Sequence, residues 1–350
     1  MLFRSIEVKT SRILAQASDS RETPKVASLV EMAGIAAKKM AGNSLVFAGS
    51  AQDTDYPKIT LVSSIEGLKD PYVGSVWEGL RRFAEGKGFP AEKCLKLVVP
   101  VSAEQLKQEV FAAAQVKPDL VLCVGFMFEQ VVADAAKAFP EVKFGLIDGT
   151  VREANVRCAL FSEKDGAFLA GVAAGLKAKA DGKKSVGFIG GVDFPLIRVF
   201  QAGFVQGVHA AYPGCKVTEA WVGSFTDSEG GKKAAKKLYD AGAYVIFHAA
   251  GLTGNGVFEE AIARTKKRDI RWVIGVDIDQ YALGTWEPGK SVTLTSFVKR
   301  TDAAANFLAR TSDAPKEIWG GVFVLGVNEG GVGLPRENPN LTADMAKAIA

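Results

Sequence analysis

AYVIFHAAGLTGNGV, residues Ala243–Val257, is the stretch that decides the fold. Ala243–Ala249 is an apolar run of strand length. It stops in GLTGNGV (Gly251–Val257), which opens a helix from Gly254. Strand, glycine-rich turn and helix in that order form half of a βαβ unit. Glycines at such a turn let a ligand approach the backbone, and the helix N-terminus favours anionic or hydroxyl groups. The loop matches neither G-x-G-x-x-G nor the Walker A pattern, so it lends little support to dinucleotide or triphosphate binding. A plain tight turn is the competing reading.

Two segments downstream repeat the design. WVIGVDIDQY (Trp272–Tyr281) and VTLTSFVKR (Val292–Arg300) are apolar runs that end in charge. Ligands of open α/β sheets bind at the carboxyl ends of the strands. Gly251, Asp277 and Lys299 therefore stand where a small molecule would sit. A carboxylate at Asp277 can accept two hydrogen bonds from a sugar diol. With Asp279 close behind, the alternative is a helix cap or a solvated loop acid. Lys299 can donate to ligand hydroxyls, or is an ordinary exposed lysine.

The alternation extends upstream. KITLVSS (Lys58–Ser64), the helix Ser75–Gly88, KCLKLVVP, the helix Ser102–Gln115, DLVLCVG (Asp119–Gly125), the helix Met127–Phe139 and KFGLID (Lys143–Asp148) make a first βα set. Ser102 with Gln105 is a capping-box pattern. VRCALFS (Val156–Ser162) reads as a crossover strand into a second set that runs to Asp277. The expected fold is α/β, with two doubly wound parallel sheets. VTLTSFV and GVFVLGV (Gly321–Val327) would return the chain across both lobes. The expected boundaries are 1–55 as a leader or flexible segment, 56–160 plus about 286–318 as lobe 1, and 161–285 plus about 319–345 as lobe 2. Aromatic residues gather near the strand ends: Tyr72, Phe126, Phe128 and Phe200. Two such rings facing across a cleft would sandwich a planar heterocycle, although each alone reads as core. Asp148 could meet ring N–H groups, or serve as a turn residue.

Composition narrows the function. The net charge is +4 and no basic stripe is interleaved with aromatics, which argues against a nucleic-acid partner. Cys94, Cys123, Cys158 and Cys215 form no C-x-x-C pair and read as small buried residues. With only His209 and His248, a catalytic triad or a histidine-rich metal site is not expected. Neither is a cofactor. No apolar run reaches the ~18–20 residues of a membrane span. Lys38–Ala51 (KKMAGNSLVFAGSA) looks like a stunted signal peptide, with Ser50 where a lipoprotein would carry its acylated cysteine. A flexible leader or a wrongly assigned start is the preferred reading of this region.

Beyond these patterns, FLAGVAAGLKAK, VGFIGG, FQAGFVQGV, KLYDAGAYVIFHAAGLTGNGV, WVIGVDIDQY and LTSFVKR resemble the basic membrane protein family. These are substrate-binding lipoproteins of ABC importers, and the purine nucleoside receptor is their best-known type. The resemblance spans Lys58 to Leu341 and is most specific in the C-terminal half. It implies a type I periplasmic-binding-protein fold with a three-crossover hinge, and a nucleoside bound between the lobes. It also implies ABC permease subunits as partners and an extracytoplasmic, periplasmic or membrane-associated location. The lipid anchor of family members is not evident here. By the same resemblance Asp277 and Lys299 hold ribose hydroxyls and Gly251 lies beside the sugar. Phe200 would stack on the base, and Asp148 would contact it.

The N-terminal motif departs from the family pattern. Purine-binding members read like T-D-x-G…D-x-S-F-N-Q before V-W-E-G, whereas this chain reads SSIEGLKDPYVGSVWEG (Ser63–Gly79). Tyr72 takes the place of the stacking Phe, Ser64 that of the base-recognising Asp, and Val73 that of the Asn. Losing both polar groups should relax or change base specificity. A purine nucleoside leads, with another ribosyl or ribityl heterocycle such as riboflavin as the alternative. Two other classes are weaker. A nucleoside-processing enzyme could use Asp277 and Asp279 as acids, but lacks a catalytic His or a metal cluster. For a transcription regulator, Val26–Gly42 loosely suggests a helix-turn-helix, without base-reading Arg or Gln.

Overall fold

Two parallel sheets carry the chain. A computed structural model describes residues 56–315, 319–335 and 337–349. The expectations for the leader, for Ser50 and for Val26–Gly42 lie outside those residues. The first half contains β1 (Ile59–Val62), α1 (Pro71–Lys87), β2 (Leu95–Val98), α2 (Leu106–Gln115), β3 (Leu120–Val124), α3 (Glu129–Ala138), β4 (Phe144–Ile147) and β5 (Val156–Phe161). The second contains α4 (Glu163–Ala180), β6 (Ser185–Gly190), α5 (Pro195–Ala211), β7 (Lys216–Trp221), α6 (Ser228–Asp240), β8 (Val245–Ala249), α7 (Gly254–Thr265) and β9 (Trp272–Gly275). A small β10–β11 hairpin (Thr285–Glu287, Lys290–Ser291) precedes β12 (Thr293–Ser296). The chain ends with β13 (Val298–Lys299), α8 (Thr301–Arg310), β14 (Gly321–Leu325), β15 (Val332–Gly333) and α9 (Ala343–Ile349).

The sheets are ordered β14-β5-β4-β3-β1-β2 and β12-β9-β8-β6-β7, and every pairing within them is parallel. Central strands such as ITLV, LVLCV and VIFHA are buried at every position, because helices cover both faces of a parallel sheet. Each sheet reverses its winding at one place, between β1 and β3 in the first and between β6 and β8 in the second. Ligand crevices of doubly wound folds open at such switch points.

Three connections join the sheets, and they adjust the expected boundaries. β5 leads through Ser162 into α4. β12 belongs to the second sheet and leads through β13 to α8, which packs on α1 of the first lobe. β14 pairs with β5 in the first sheet and returns through β15, which pairs with β13, to α9 against α4. Thr293–Ser296 is wholly buried and extends the second sheet beyond β9, while the more exposed GVFVL suits the outer edge of the first.

Local chemistry sets the helix that borders the cleft. Asp70 caps α1 by accepting from the Tyr72 N–H at 2.9 Å, and Pro71 fills the first helical position. The helix therefore begins at Pro71 rather than at Ser75. The Ser102 capping box is absent: Ser102 precedes a short 3-10 turn (Ala103–Gln105) and makes no side-chain cap bond. All four cysteines are free and buried. In the second lobe, Phe188, Phe204, Phe247, Phe200 and Phe297 form a chain of ring contacts with centroids 5.3–6.4 Å apart. The chain ends beneath the second crossover.

Asp302 fastens α8 to α1. It is 7 % exposed and accepts from Arg300 at 2.8 Å and from Arg82. Burial alone would raise its carboxyl pKa. The hydrogen bonds from Arg300 and Arg82 outweigh burial and bring it down to about 2. A depressed carboxyl stabilises the fold above its unfolded pKa, and that stability is lost as pH falls toward 2. Asp302→Asn should therefore flatten the loss of stability between about pH 4 and pH 2, as followed by chemical denaturation. An unaltered acid slope would remove Asp302 from this role.

Candidate functional site

The two strand-end aspartates occupy equivalent positions in the two lobes. Asp148 follows β4 with φ +59°, and Asp277 follows β9 and Val276 with φ +67°. Non-glycine residues rarely adopt this left-handed conformation, and aspartate is among those that tolerate it. The turn aims both carboxylates at Lys299, which lies on the crossover strand β13. The Lys299 Nζ is 3.0 Å from both oxygens of Asp148, 3.2 Å from Glu163 Oε1 and 3.7 Å from Asp277 Oδ1. The Lys299 N–H also donates to the Asp277 carbonyl at 2.9 Å. Glu163, the first residue of α4, drew no attention in the sequence. Its position just past a crossover strand was the one available signal.

Lys299 is thus not an exposed lysine. Its side chain is 4 % exposed, and its ammonium lies 5.6 Å and 5.7 Å from the ring centres of Phe161 and Phe200. Burial alone would lower its pKa, but the carboxylates of Asp148, Asp277 and Glu163 raise it overall. Its three ammonium protons have three carboxylate groups close by. The Asp277 side chain remains 41 % exposed, so it is the member of the cluster most open to a ligand. Partial burial, with repulsion from Asp148, Glu163 and Asp70, raises its pKa against the opposing pull of Lys299.

Tyr72 joins the same cluster by donating from its hydroxyl to Asp148 Oδ2 at 2.9 Å. Burial and the neighbouring carboxylates hold its pKa well above the usual tyrosine value. Tyr72, Asp148, Asp277 and Lys299 therefore converge in one cluster. Other expected residues are placed differently. Phe200 is 3 % exposed, packed against Phe247 and Phe297 beneath Lys299 rather than standing free in a cleft. Val73 is 1 % exposed and belongs to the core. Phe128 is buried and Phe126 exposed. Ser64 lies just past β1, with a buried Oγ that lacks a hydrogen-bond partner in the protein. Asp279 accepts from the Tyr281 N–H at 3.0 Å, a local turn contact.

Gly251 sits at the switch point after β8 with φ +53°. A Cβ there would lie 3.1 Å from the Phe225 carbonyl oxygen. Thr253 holds this loop in place, donating to the Ser224 carbonyl and accepting from the Asp227 N–H, both at 2.9 Å. Gly251→Ala should lower stability by about 1–2 kcal/mol, the cost of a left-handed alanine. Urea denaturation measures this, and an unchanged midpoint would show that the loop relaxes freely.

One buried strut links β8 to the loop after β9 in the second lobe. His248 Nε2 lies 3.0 Å from Gln280 Oε1, and the same oxygen accepts from the Val276 N–H at 3.0 Å. Burial lowers the His248 pKa to about 4, so the ring is neutral at physiological pH and donates to Gln280. It thereby braces the turn that carries Asp277. Among the described residues no group of His, Cys, Asp and Glu is arranged to hold a metal ion, and no helix is long and apolar enough to cross a membrane.

Two parallel-sheet lobes, three crossovers and a polar cluster at their junction define a solute-binding architecture. Comparison with known proteins agrees. The family of PnrA-like ABC transporter substrate-binding proteins matches residues 60–350. A CD4+ T-cell-stimulating antigen of Listeria innocua is 35% identical over 302 residues, covering 83% of each chain. The ABC transporter nucleoside-binding protein BmpA of Lactococcus lactis is 31% identical over 302 residues, covering 84% of this chain and 85% of that one. The crystal structure of an ABC transporter solute-binding protein from Aeropyrum pernix superposes with a TM-score of 0.65 at 26% identity, covering 84% and 85% of the two chains. The chain is a substrate-binding protein of an ABC transporter. It belongs to the PnrA-like, or basic membrane protein, family, whose members capture solutes outside the cytoplasm and are not enzymes.

Proposed function

We propose that the protein captures a nucleoside, preferentially a purine nucleoside, between its lobes and delivers it to a membrane permease. The convergence of Asp148 and Asp277 on the crossover residue Lys299 carries this reading. One aspartate comes from each lobe, and hydroxyls bound there would favour the lobes closing together. Carboxylates accept hydrogen bonds from a sugar diol. Lys299 acts chiefly by neutralising them, since its own protons already face carboxylates. Gly251 would lie beside the sugar. Tyr72 and Ser64 would meet the base, with Phe200 supporting the pocket from beneath. The nucleoside-binding name of the Lactococcus relative supports the same ligand class.

Ser64 and Val73 favour a second reading, a ribityl heterocycle such as riboflavin. Val73 is core and offers a base no hydrogen bond, which leaves the Ser64 Oγ as the polar group at that end. Mass spectrometry of the small molecule that co-purifies with the protein separates these readings. Thermal shifts with nucleosides and riboflavin then check the result, since a ligand that binds only the folded state raises Tm. Stabilisation by purine nucleosides supports the main proposal. Stabilisation by riboflavin alone transfers the assignment, and stabilisation by a simple sugar alone rejects both.

A further inference from the structure

We propose that Glu163 is a specificity-determining residue. With Asp148 and Asp277 it surrounds the ammonium of Lys299, so that the cleft takes a hydroxylated ligand and rejects its phosphorylated form. The inference rests on the preceding section only in taking the ligand to be a hydroxylated heterocycle.

Position is the first observation. Lys299 lies on the second crossover and Glu163 begins the helix that follows the first. Their 3.2 Å ion pair therefore ties two crossovers together at the root of the cleft. The Glu163 side chain is 13 % exposed and that of Lys299 is 4 % exposed, so water weakens the pair little. Charge is the second. The groups facing Lys299 are Asp148, Asp277 and Glu163, which set three carboxylates against one ammonium. Asp70, at the start of α1, adds further negative potential at Asp277, and Tyr72 is neutral at physiological pH. A phosphate ester entering here would meet excess negative charge, with the buried ammonium already in contact with carboxylates. Hydroxyl groups carry no such penalty, because carboxylates are acceptors.

Glu163 is the member that separates this role from ligand contact. The Asp277 side chain is 41 % exposed, whereas that of Glu163 is 13 % exposed and pairs with Lys299, so its charge acts through Lys299. Without the Glu163 charge, more of the Lys299 charge would be available to an anion. The cleft would then tolerate phosphate better while the aspartates remained in place.

Titration calorimetry on matched pairs tests this: adenosine and AMP, guanosine and GMP, uridine and UMP, riboflavin and FMN. The wild-type protein should prefer the unphosphorylated member of the pair it binds by about a hundredfold at low salt, with the preference shrinking as salt screens the charges. Glu163→Gln should narrow the preference by roughly tenfold, and Glu163→Asp should restore it. Equal binding of both members overturns the proposal, as does a preference unchanged in Glu163→Gln. Should that variant fail to fold, a wild-type preference independent of salt overturns it equally. If no pair member binds, the heterocycle reading fails separately. The co-purified molecule then decides, a phosphate ester overturning the proposal and an uncharged polyol supporting it.

Discussion

Lys299→Met should destabilise the ligand-free protein by about 3–5 kcal/mol at neutral pH, the range for breaking a buried ion pair from one side. Methionine keeps most of the aliphatic stem that runs past Phe161 and Phe200, so the change mainly removes the charge. What remains is Asp148 and Glu163, with side chains 21 % and 13 % exposed, facing each other and Asp277 with no cation between them. Asp277, whose carboxyl pKa already stands above the usual value, loses the opposing pull of Lys299 and should rise further. A carboxyl whose folded pKa is raised binds more protons folded than unfolded. Stability then falls as pH rises through that window. The deficit of Lys299→Met should therefore be full at pH 7 and smaller near pH 5. Urea titrations of both proteins at the two pH values measure it. A deficit below about 1 kcal/mol, or one that ignores pH, would mean that the cluster is hydrated like a surface pair.

How much of this cluster the sequence reveals depends on the kind of signal each residue leaves. β8, β9 and the loop at Gly251 are legible because an apolar strand that stops in small or charged residues is a one-dimensional pattern. The aspartates at strand ends follow from the same rule. Both lie one strand away from the switch points, toward the crossovers, and only the sheet order reveals that. Lys299 is visible as a charge after TSF. Its burial is not, because three carboxylates from three distant segments produce it. Glu163 leaves no trace for the same reason: its meaning is its distance to Lys299, 136 positions away in the chain. Val73 and Phe200 are the reverse case. The resemblance assigns both to ligand positions, yet α1 turns Val73 into the core, and the phenylalanine row draws Phe200 beneath the crossover. The exchange of β12 and β14 between lobes was hidden because either apolar strand could extend either sheet.

Asp277→Asn should weaken nucleoside binding while making the empty protein more stable at pH 7. Asparagine keeps the size of the side chain and tolerates the left-handed φ of +67°, so the turn itself is not strained. The backbone bonds that fix the turn, from Lys299 N–H to the Asp277 carbonyl and from Val276 N–H to Gln280, do not involve the substituted side chain. The loss is the charge on an acceptor that would hold two ligand hydroxyls. Hydrogen bonds to charged groups contribute about 1.5–3 kcal/mol, or roughly a 10- to 150-fold change in Kd. The stability change has the opposite sign. Burial and the neighbouring carboxylates raise the Asp277 pKa above 3.8 despite Lys299. Between the unfolded and folded pKa values the native state holds the extra proton, so stability falls as pH rises through that interval. It stays lower at pH 7. Asparagine cannot ionise and escapes the loss, with the advantage vanishing at pH values below the window. Calorimetric titration with a purine nucleoside and ligand-free melting curves between pH 3 and pH 7 read the two effects independently. Unchanged affinity would remove Asp277 from the ligand. A lower ligand-free Tm at pH 7 would show that Lys299 gains more from Asp277 than the other carboxylates lose.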